Sequence, residues 1–520
     1  MAVEPDDIRT RAGVSNGSTK PGISRLNVQY GAPTPQALQL IPEDVARKYN
    51  IIPLALESNT LKVCMSNPGD ILTIENLSVY SKKRIEPVLA SDSDIREAID
   101  FNYKALKDVG KAGEPVPASV HALDERAMAD AGGDAPVART LDRLLEEATK
   151  SRASDIHIEP EENRLRVRYR IDGILHEVAS FPINIHTALI SRIKILSDMN
   201  IADHRRPQDG QFSFDSHNRR IDVRVATINT VNGEMSVLRL LDKSLAALSM
   251  PQLGFLREGQ EKFEKMLMMP YGMVLISGPT GAGKTTTLYA AVNSLDSVGK
   301  NIITIEDPVE YRFENINQIQ VNVKAGLTFA GGLRSIVRLD PDVILVGEIR
   351  DSETAQIAVQ SALTGHLVLS SVHANETIGV LFRLIDLGVE PFLISSALVG
   401  IVAQRMVRRV CPHCARKVTV PLVEQMAYEK EMGESRTEFM YGEGCKQCVY
   451  TGYLGRTALF EILTISDEIR RMVVAGASNT DLRAVALNEG LITIMRDGML
   501  KAKAGITTPY EVLRNAYSIS

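Results

Sequence analysis

The sequence predicts an α/β protein whose C-terminal part holds a largely parallel sheet with helices on both faces, preceded by two smaller α+β domains. Three observations carry this expectation. Between about 250 and 400, the apolar runs at 273–276, 302–305, 343–346 and 367–369 alternate with helix-like segments, the pattern of a parallel sheet. Upstream, Leu165, Val167, Tyr169 and Ile171 alternate with four arginines and lead into Asp172-Gly173, a two-residue hairpin turn. The chain is also long enough: 520 residues, 44% hydrophobic and 24% charged, accommodate about three domains at ~150 residues each.

Residues 1–36 are rich in Gly, Ser, Thr and Pro without periodicity, so order is expected to begin near Ala37. In 37–105, apolar runs at 51–56 and 61–65 alternate with helix-like 42–49 and 93–103, the pattern of a small α+β domain. Residues 106–138 read as a linker, because 109–136 hold four Gly and three Pro. The middle domain, 139–246, contains the arginine-alternating strand and a second one marked by Ile221, Val223 and Val225, which runs toward the turn Asn232-Gly233. Residues 250–520 form the third domain, with a cysteine module at 405–456 and a mostly helical tail.

No run reaches the roughly 20 apolar residues that span a bilayer. The uncharged stretch 391–404 is shorter than that and reads as a buried core helix. The acidic start, with Glu4, Asp6 and Asp7, is not a secretory signal, so the expected location is cytoplasmic. A net charge of −5 gives no bulk positive field for nucleic acid, which leaves room for a local basic patch only, and 5% aromatic residues do not support a strand-stacking surface.

The chemistry concentrates in a few strings. Gly278, Pro279, Thr280, Gly281, Ala282, Gly283, Lys284, Thr285 and Thr286 follow a strand and open a helix, matching the phosphate-binding pattern G-x-x-x-x-G-K-[ST]. Glycines let consecutive N–H groups face a triphosphate, a lysine neutralises its outer oxygens, and the Thr285 hydroxyl is a magnesium ligand in such a loop. Phosphoryl transfer also needs an acidic group at a neighbouring strand end, and the run at 343–346 followed by Gly347 offers Glu348 as general base or water-mediated metal ligand. A salt-bridged structural carboxylate is the alternative. Glu306, Asp307 and Glu310 stand at a second strand end, catalytic or structural. His366 and His373 flank the run 367–369, with Ser370 and Ser371 between, where a strand should end and a histidine can sense phosphate or be a hydrogen-bonded structural residue. Arg334 and Arg338, four apart, are expected on one helix face, as contacts to phosphate or a carboxylate partner, or as plain solvated charges.

Four of the five cysteines form two C-x-x-C pairs, Cys411/Cys414 and Cys445/Cys448. Two-residue spacing lets both thiolates of a pair bind one tetrahedral ion, so structural zinc is the leading reading and a redox dithiol the alternative. The 30 residues between the pairs exceed the commonest zinc-ribbon spacing and leave room for a small helical insert. Cys64 reads as a buried apolar residue.

Taken in order, GPTGAGKTT (278–286), ITIEDPVEYR (303–312), GLRSIVRLDPDVILVGEIRDSETA (332–355) and TGHLVLSSVHAN (364–375) resemble the Walker A, aspartate, Walker B and histidine boxes of the secretion ATPase superfamily. SDIHIEP (154–160), RRPQDGQ (205–211) and the tetracysteine module narrow the resemblance to type II secretion and type IV pilus assembly ATPases, over about residues 38–515. The resemblance implies a RecA-like phosphate-loop domain, a PAS-like middle domain, and a homohexamer that uses ATP with Mg²⁺ to drive an inner-membrane platform protein. It further implies an N-terminal domain that docks on a cytoplasmic adaptor and membrane association only through partners; the charge and aromatic content argue against a nucleic-acid partner. By position it makes Lys284 and Thr285 the Walker A residues, Glu348 the Walker B glutamate, and Glu306, Asp307 and Glu310 the aspartate box. Arg224 and Arg239 match middle-domain arginines that reach nucleotide phosphates, and Arg334 and Arg338 the catalytic-domain pair. From the residues alone, Arg224 reads as an ordinary strand-face charge. Gln211 stands where many relatives carry arginine, and the arginine-leucine-glycine repeats that bind cyclic di-GMP in some relatives are not found, so that ligand is not expected. Retraction motors of the same superfamily usually lack the long N-terminal region and the cysteine module.

Overall fold

The computed structural model describes residues 31–110, 135–216, 219–241, 248–295 and 298–516. The core of the expected linker, 111–134, and most of the expected unstructured start lie outside the described residues. The chain divides into two compact units, one of residues up to Phe212 with Arg224–Leu240, the other of Ser213–Val223 with Leu241 onward.

In the first unit, β1 (Ile51–Glu57), β2 (Thr60–Met65) and β3 (Arg84–Leu89) make a three-stranded sheet, β1 antiparallel and β3 parallel to β2. The helices Pro35–Leu40, Glu43–Tyr49 and Asp92–Gly110 cover it, and Cys64 is fully buried in that core among Ile52, Val63 and Ile99. Burial pushes its thiol up to about 12.

A six-stranded sheet follows, in the order β6-β5-β4-β9-β8-β7, from β4 (Ala153–Pro160), β5 (Arg164–Ile171), β6 (Ile174–Pro182), β7 (Gln208–Ser216), β8 (Arg219–Thr230) and β9 (Gly233–Leu241). The turn between β5 and β6 has Asp172 and Gly173 at φ 49° and 89°, both left-handed, as an Asp-Gly hairpin requires. Along β5 the apolar residues are buried, while the intervening arginines are paired: Arg166 and Arg168 both reach Glu159, at 3.0 and 2.5 Å.

The second unit is built on a seven-stranded sheet: β10 (Gly272–Ser277), β11 (Ile302–Glu306), β12 (Asn317–Gln320), β13 (Val343–Val346), β14 (Leu367–Val372), β15 (Leu398–Val410) and, beyond a small hairpin of β16 (Ala415–Thr419) and β17 (Glu438–Gly442), β18 (Tyr453–Thr464). The order is β12-β11-β13-β14-β10-β15-β18. Every pairing is parallel except β15 with β18. Both faces are covered, so β10 is buried at every position: Met273 and Leu275 enter one core and Val274 and Ile276 the other. Because the strands are parallel, the C-terminal ends of β10, β11, β13 and β14 share one edge of the sheet.

Two element expectations are corrected. Residues 391–404 are not one buried helix: the helix Pro391–Ala397 stops and β15 begins at Leu398. The β-branched Val399, Ile401 and Val402 favour a strand packed in a sheet, and the segment pairs with β10 on one side and β18 on the other. Arg334 and Arg338 do not share a helix face, because the helix Phe329–Ile336 ends before Arg338, which falls in the turn leading to Pro341. Among the described residues, no helix is long and apolar enough to cross a membrane.

Candidate nucleotide and metal sites

β10 delivers its chain directly into the glycine-rich loop. Gly278, Gly281 and Gly283 have φ of 149°, 78° and 86°, which side chains at these positions would resist. Gly283 is the N-cap of the helix Lys284–Ser294 and supplies no side-chain cap, so the first N–H groups of that helix stay available to an anion. Pro279, Thr280, Gly281 and Thr285 are exposed, and Thr286 is half-buried. Lys284 Nζ donates to the carbonyls of Gly278 at 2.8 Å and Pro279 at 3.2 Å, folding the ammonium over the loop. Burial pushes its pKa down, while the Glu348 carboxylate pulls it up. An uncapped helix start beneath an ammonium suits a polyphosphate.

Glu348 lies just beyond β13, with its side chain 17% exposed. Arg350 contacts one carboxylate oxygen at 2.5 Å and His373, the residue after β14, approaches the other at 3.5 Å. Glu306 ends β11 but faces inward: it is buried and accepts from the hydroxyl of Tyr289, from Thr304 Oγ1 at 2.6 Å and from Gln318 Nε2 at 3.2 Å. Burial, then the Glu306 carboxylate, hold the Tyr289 hydroxyl well above its ordinary pKa. Asp307 is exposed and Glu310 half-buried, its N–H donating to Tyr289 Oη at 3.2 Å. Arg334 is engaged with Glu353, and Arg338 is exposed.

His366 departs from its expected place. It precedes β14, and its carbonyl accepts from the N–H of Gly272 at the start of β10. That is the opposite edge of the sheet from the loop, a strand length of roughly 20 Å away at about 3.3 Å per residue. Its Nδ1 is instead 2.9 Å from the carbonyl of Ser361, closing the preceding helix end. Sequence reasoning missed Tyr289 and Gln404. Tyr289 had a signal, the i, i+4 spacing from Thr285; Gln404 had only its polarity after six consecutive apolar or glycine residues, 398–403.

In the first unit Arg239 pairs with Asp155 of β4 at 3.0 Å and is mostly exposed, Arg224 is half-buried on β8, and Gln211 is exposed on β7.

Cys411 and Cys414 follow β15, and Cys445 and Cys448 precede β18. All four Sγ atoms lie within 4.8 Å of one another, with separations of 3.8 Å (Cys411–Cys445), 3.9 Å (Cys414–Cys448) and 3.7 Å (Cys445–Cys448). Four sulfurs at about 2.3 Å from one tetrahedral ion stand about 3.8 Å apart, so the donor set fits zinc. The intervening 30 residues hold the β16–β17 hairpin and the helix Leu422–Met432, a mixed insert rather than a purely helical one.

A parallel sheet that presents a glycine-rich loop, its lysine and a strand-end glutamate at one edge defines a phosphate-loop nucleotide-hydrolysing domain. The chain belongs to the type II/IV secretion system protein family, which matches residues 130–514, with an MshEN domain matching residues 22–108. It is 41% identical to the type IV pilus assembly ATPase PilB of Myxococcus xanthus (strain DK1622), over 94% of this chain and 90% of that protein. It is likewise 41% identical to the type II secretion system protein E of Dickeya dadantii (strain 3937), over 92% of this chain and 98% of that one. The Legionella pneumophila ATPase DotB shares the fold, with a TM-score of 0.54 and 20% identity over 72% of this chain and 94% of that structure. The resemblance drawn from the four boxes therefore holds, and the chain is a secretion-family ATPase.

Proposed function

We propose that this protein is an Mg²⁺-dependent ATPase motor, working as a homohexamer on the cytoplasmic side of the inner membrane to power type IV pilus assembly or type II secretion. The observation that supports it most is the convergence of Lys284 and Glu348 at one sheet edge, close enough for the carboxylate to act on the ammonium's pKa. When ATP binds, Lys284 exchanges the carbonyls of Gly278 and Pro279 for the outer phosphate oxygens, and the N–H groups at the start of the following helix receive the inner ones. Glu348, oriented by Arg350 and His373, takes the proton of the attacking water. Thr285 would hold Mg²⁺, which supplies charge neutralisation of the phosphates. Asp307 and Glu310 flank the same edge, while Glu306 braces the helix through Tyr289.

Arg224 and Arg239 are proposed to add their guanidinium groups to the phosphates when the middle domain closes, which makes hydrolysis conditional on motion. For Arg239 this means trading Asp155 for phosphate. Arg334 and Arg338 are proposed as further charge in the same reaction, and His366 is left out of it. The N-terminal domain is proposed to dock on a cytoplasmic adaptor, and the ring on an inner-membrane platform protein. The four cysteines would hold one Zn²⁺, which supplies a structural cross-link.

Steady-state phosphate release from ATP tests the reading: turnover is expected with Mg²⁺ and none in excess EDTA, and equal rates in both overturn it. For the cysteine site, elemental analysis is expected to give about one zinc per chain, lost in Cys445→Ser. A metal-free wild-type protein with intact folding contradicts the assignment.

A further inference from the structure

We propose that Gln404 is a positioning residue that sets the conformation of the phosphate loop, an inference that rests on the nucleotide reading above. Gln404 follows Ala403, the last residue of β15 to pair with β10, opposite Ser277. From there on β15 has the loop on that flank in place of β10. The Gln404 side chain is buried and turned under the loop: Nε2 donates to the carbonyl of Ala282 at 2.6 Å and Oε1 accepts from Thr287 Oγ1 at 2.8 Å. The carbonyl accepts only, so it fixes which end of the amide faces the loop.

The consequence lies in one peptide. The Ala282–Gly283 bond is trans, so its C=O and N–H point in opposite directions. Holding the Ala282 carbonyl toward Gln404 turns the Gly283 N–H away from it. Residue 404 also dictates both ends of the loop sterically. A Cβ on Gly278 would stand 2.4 Å from the Gln404 carbonyl oxygen, and one on Gly283 would stand 2.9 Å from its Nε2. The amide therefore pre-forms an anion-binding backbone that a free loop would have to order on binding, at an entropic cost.

The test compares three variants of the full chain by titration with a fluorescent ATP analogue and by hydrogen–deuterium exchange. Gln404→Leu removes both bonds. Gln404→Glu keeps the acceptor for Thr287 and loses the donor to Ala282. Thr287→Val removes only the outer bond. Nucleotide affinity is expected to fall about tenfold in both Gln404 variants and to stay within about twofold in Thr287→Val. Exchange is expected to quicken in the peptide covering 278–286 and not in β11 or β13. Wild-type affinity in Gln404→Glu overturns the proposal, as does an equal loss in all three variants or uniformly faster exchange, either of which marks a packing role. If Gln404→Leu does not fold, the isosteric Gln404→Glu decides alone. Wild-type protein that binds no nucleotide overturns the ATPase reading instead.

Discussion

Glu306 is the last residue of β11 and Glu348 lies two residues beyond the adjacent parallel strand β13, yet the two carboxylates have opposite surroundings. Glu306 is buried and takes three donors, from Tyr289, Thr304 and Gln318. Its lone pairs are committed, and it ties the helix after the phosphate loop to two strands. Glu348 keeps partial exposure and is contacted by two exposed side chains, Arg350 and His373. Strand-end position alone does not equip a carboxylate for proton transfer; access to water is also needed, and of the two Glu348 keeps it.

That contrast can be broken by experiment. The largest effect is expected for Glu348→Gln, which keeps the shape and removes the proposed base: kcat for ATP hydrolysis should fall by about 10²–10⁴ with folding unchanged. Near-wild-type turnover would put the two glutamates on equal terms. Glu306→Gln reverses the order of consequences, costing about 1–3 kcal/mol in denaturant unfolding through its buried bonds while lowering kcat far less than the first variant. A rate loss as deep as that of Glu348→Gln, with stability intact, would make Glu306 the working acid. His366→Ala, at the far edge, should leave kcat within about twofold and cost about 1 kcal/mol through its bond to the Ser361 carbonyl. A marked fall in rate there would contradict its placement.

What could be read from the sequence follows from how local each feature is. The phosphate loop is one contiguous string whose glycines are dictated by backbone angles, so the string and the structure coincide. The strand-end acids were found as candidates because a parallel sheet aligns strand ends, but nothing along the chain distinguishes Glu306 from Glu348. The difference is made by Tyr289 and Gln318, which come from other elements. The apolar run 367–369 stops three residues short of the end of β14 because Ser370 and Ser371 are polar. Inside the sheet their hydroxyls donate to the carbonyls of Val346 and Gly347, at 2.7 and 2.8 Å, and can therefore be buried. The end of β14 thus moves to Val372, which brings His373 to Glu348 and leaves His366 at the other edge. The two cysteine pairs were legible from spacing alone as a cluster able to hold a metal, whereas the hairpin-and-helix insert between them depends on pairings such as Lys417 with Met440 that no local pattern announces.

β15 also behaves as a ruler. Gln404 must face the loop while Arg408, four residues on, must face Glu511, which it meets at 2.7 Å in a buried pair. The stretch 400–408 is in unbroken register with 456–464 of β18. Side chains on a strand switch faces with every residue, so inserting or deleting one position between 404 and 408 would present the wrong face to one of these two partners. Length variation among natural versions of this chain should accordingly collect in the stretch between Cys414 and Cys445, and leave the span from Gln404 to Arg408 at constant length.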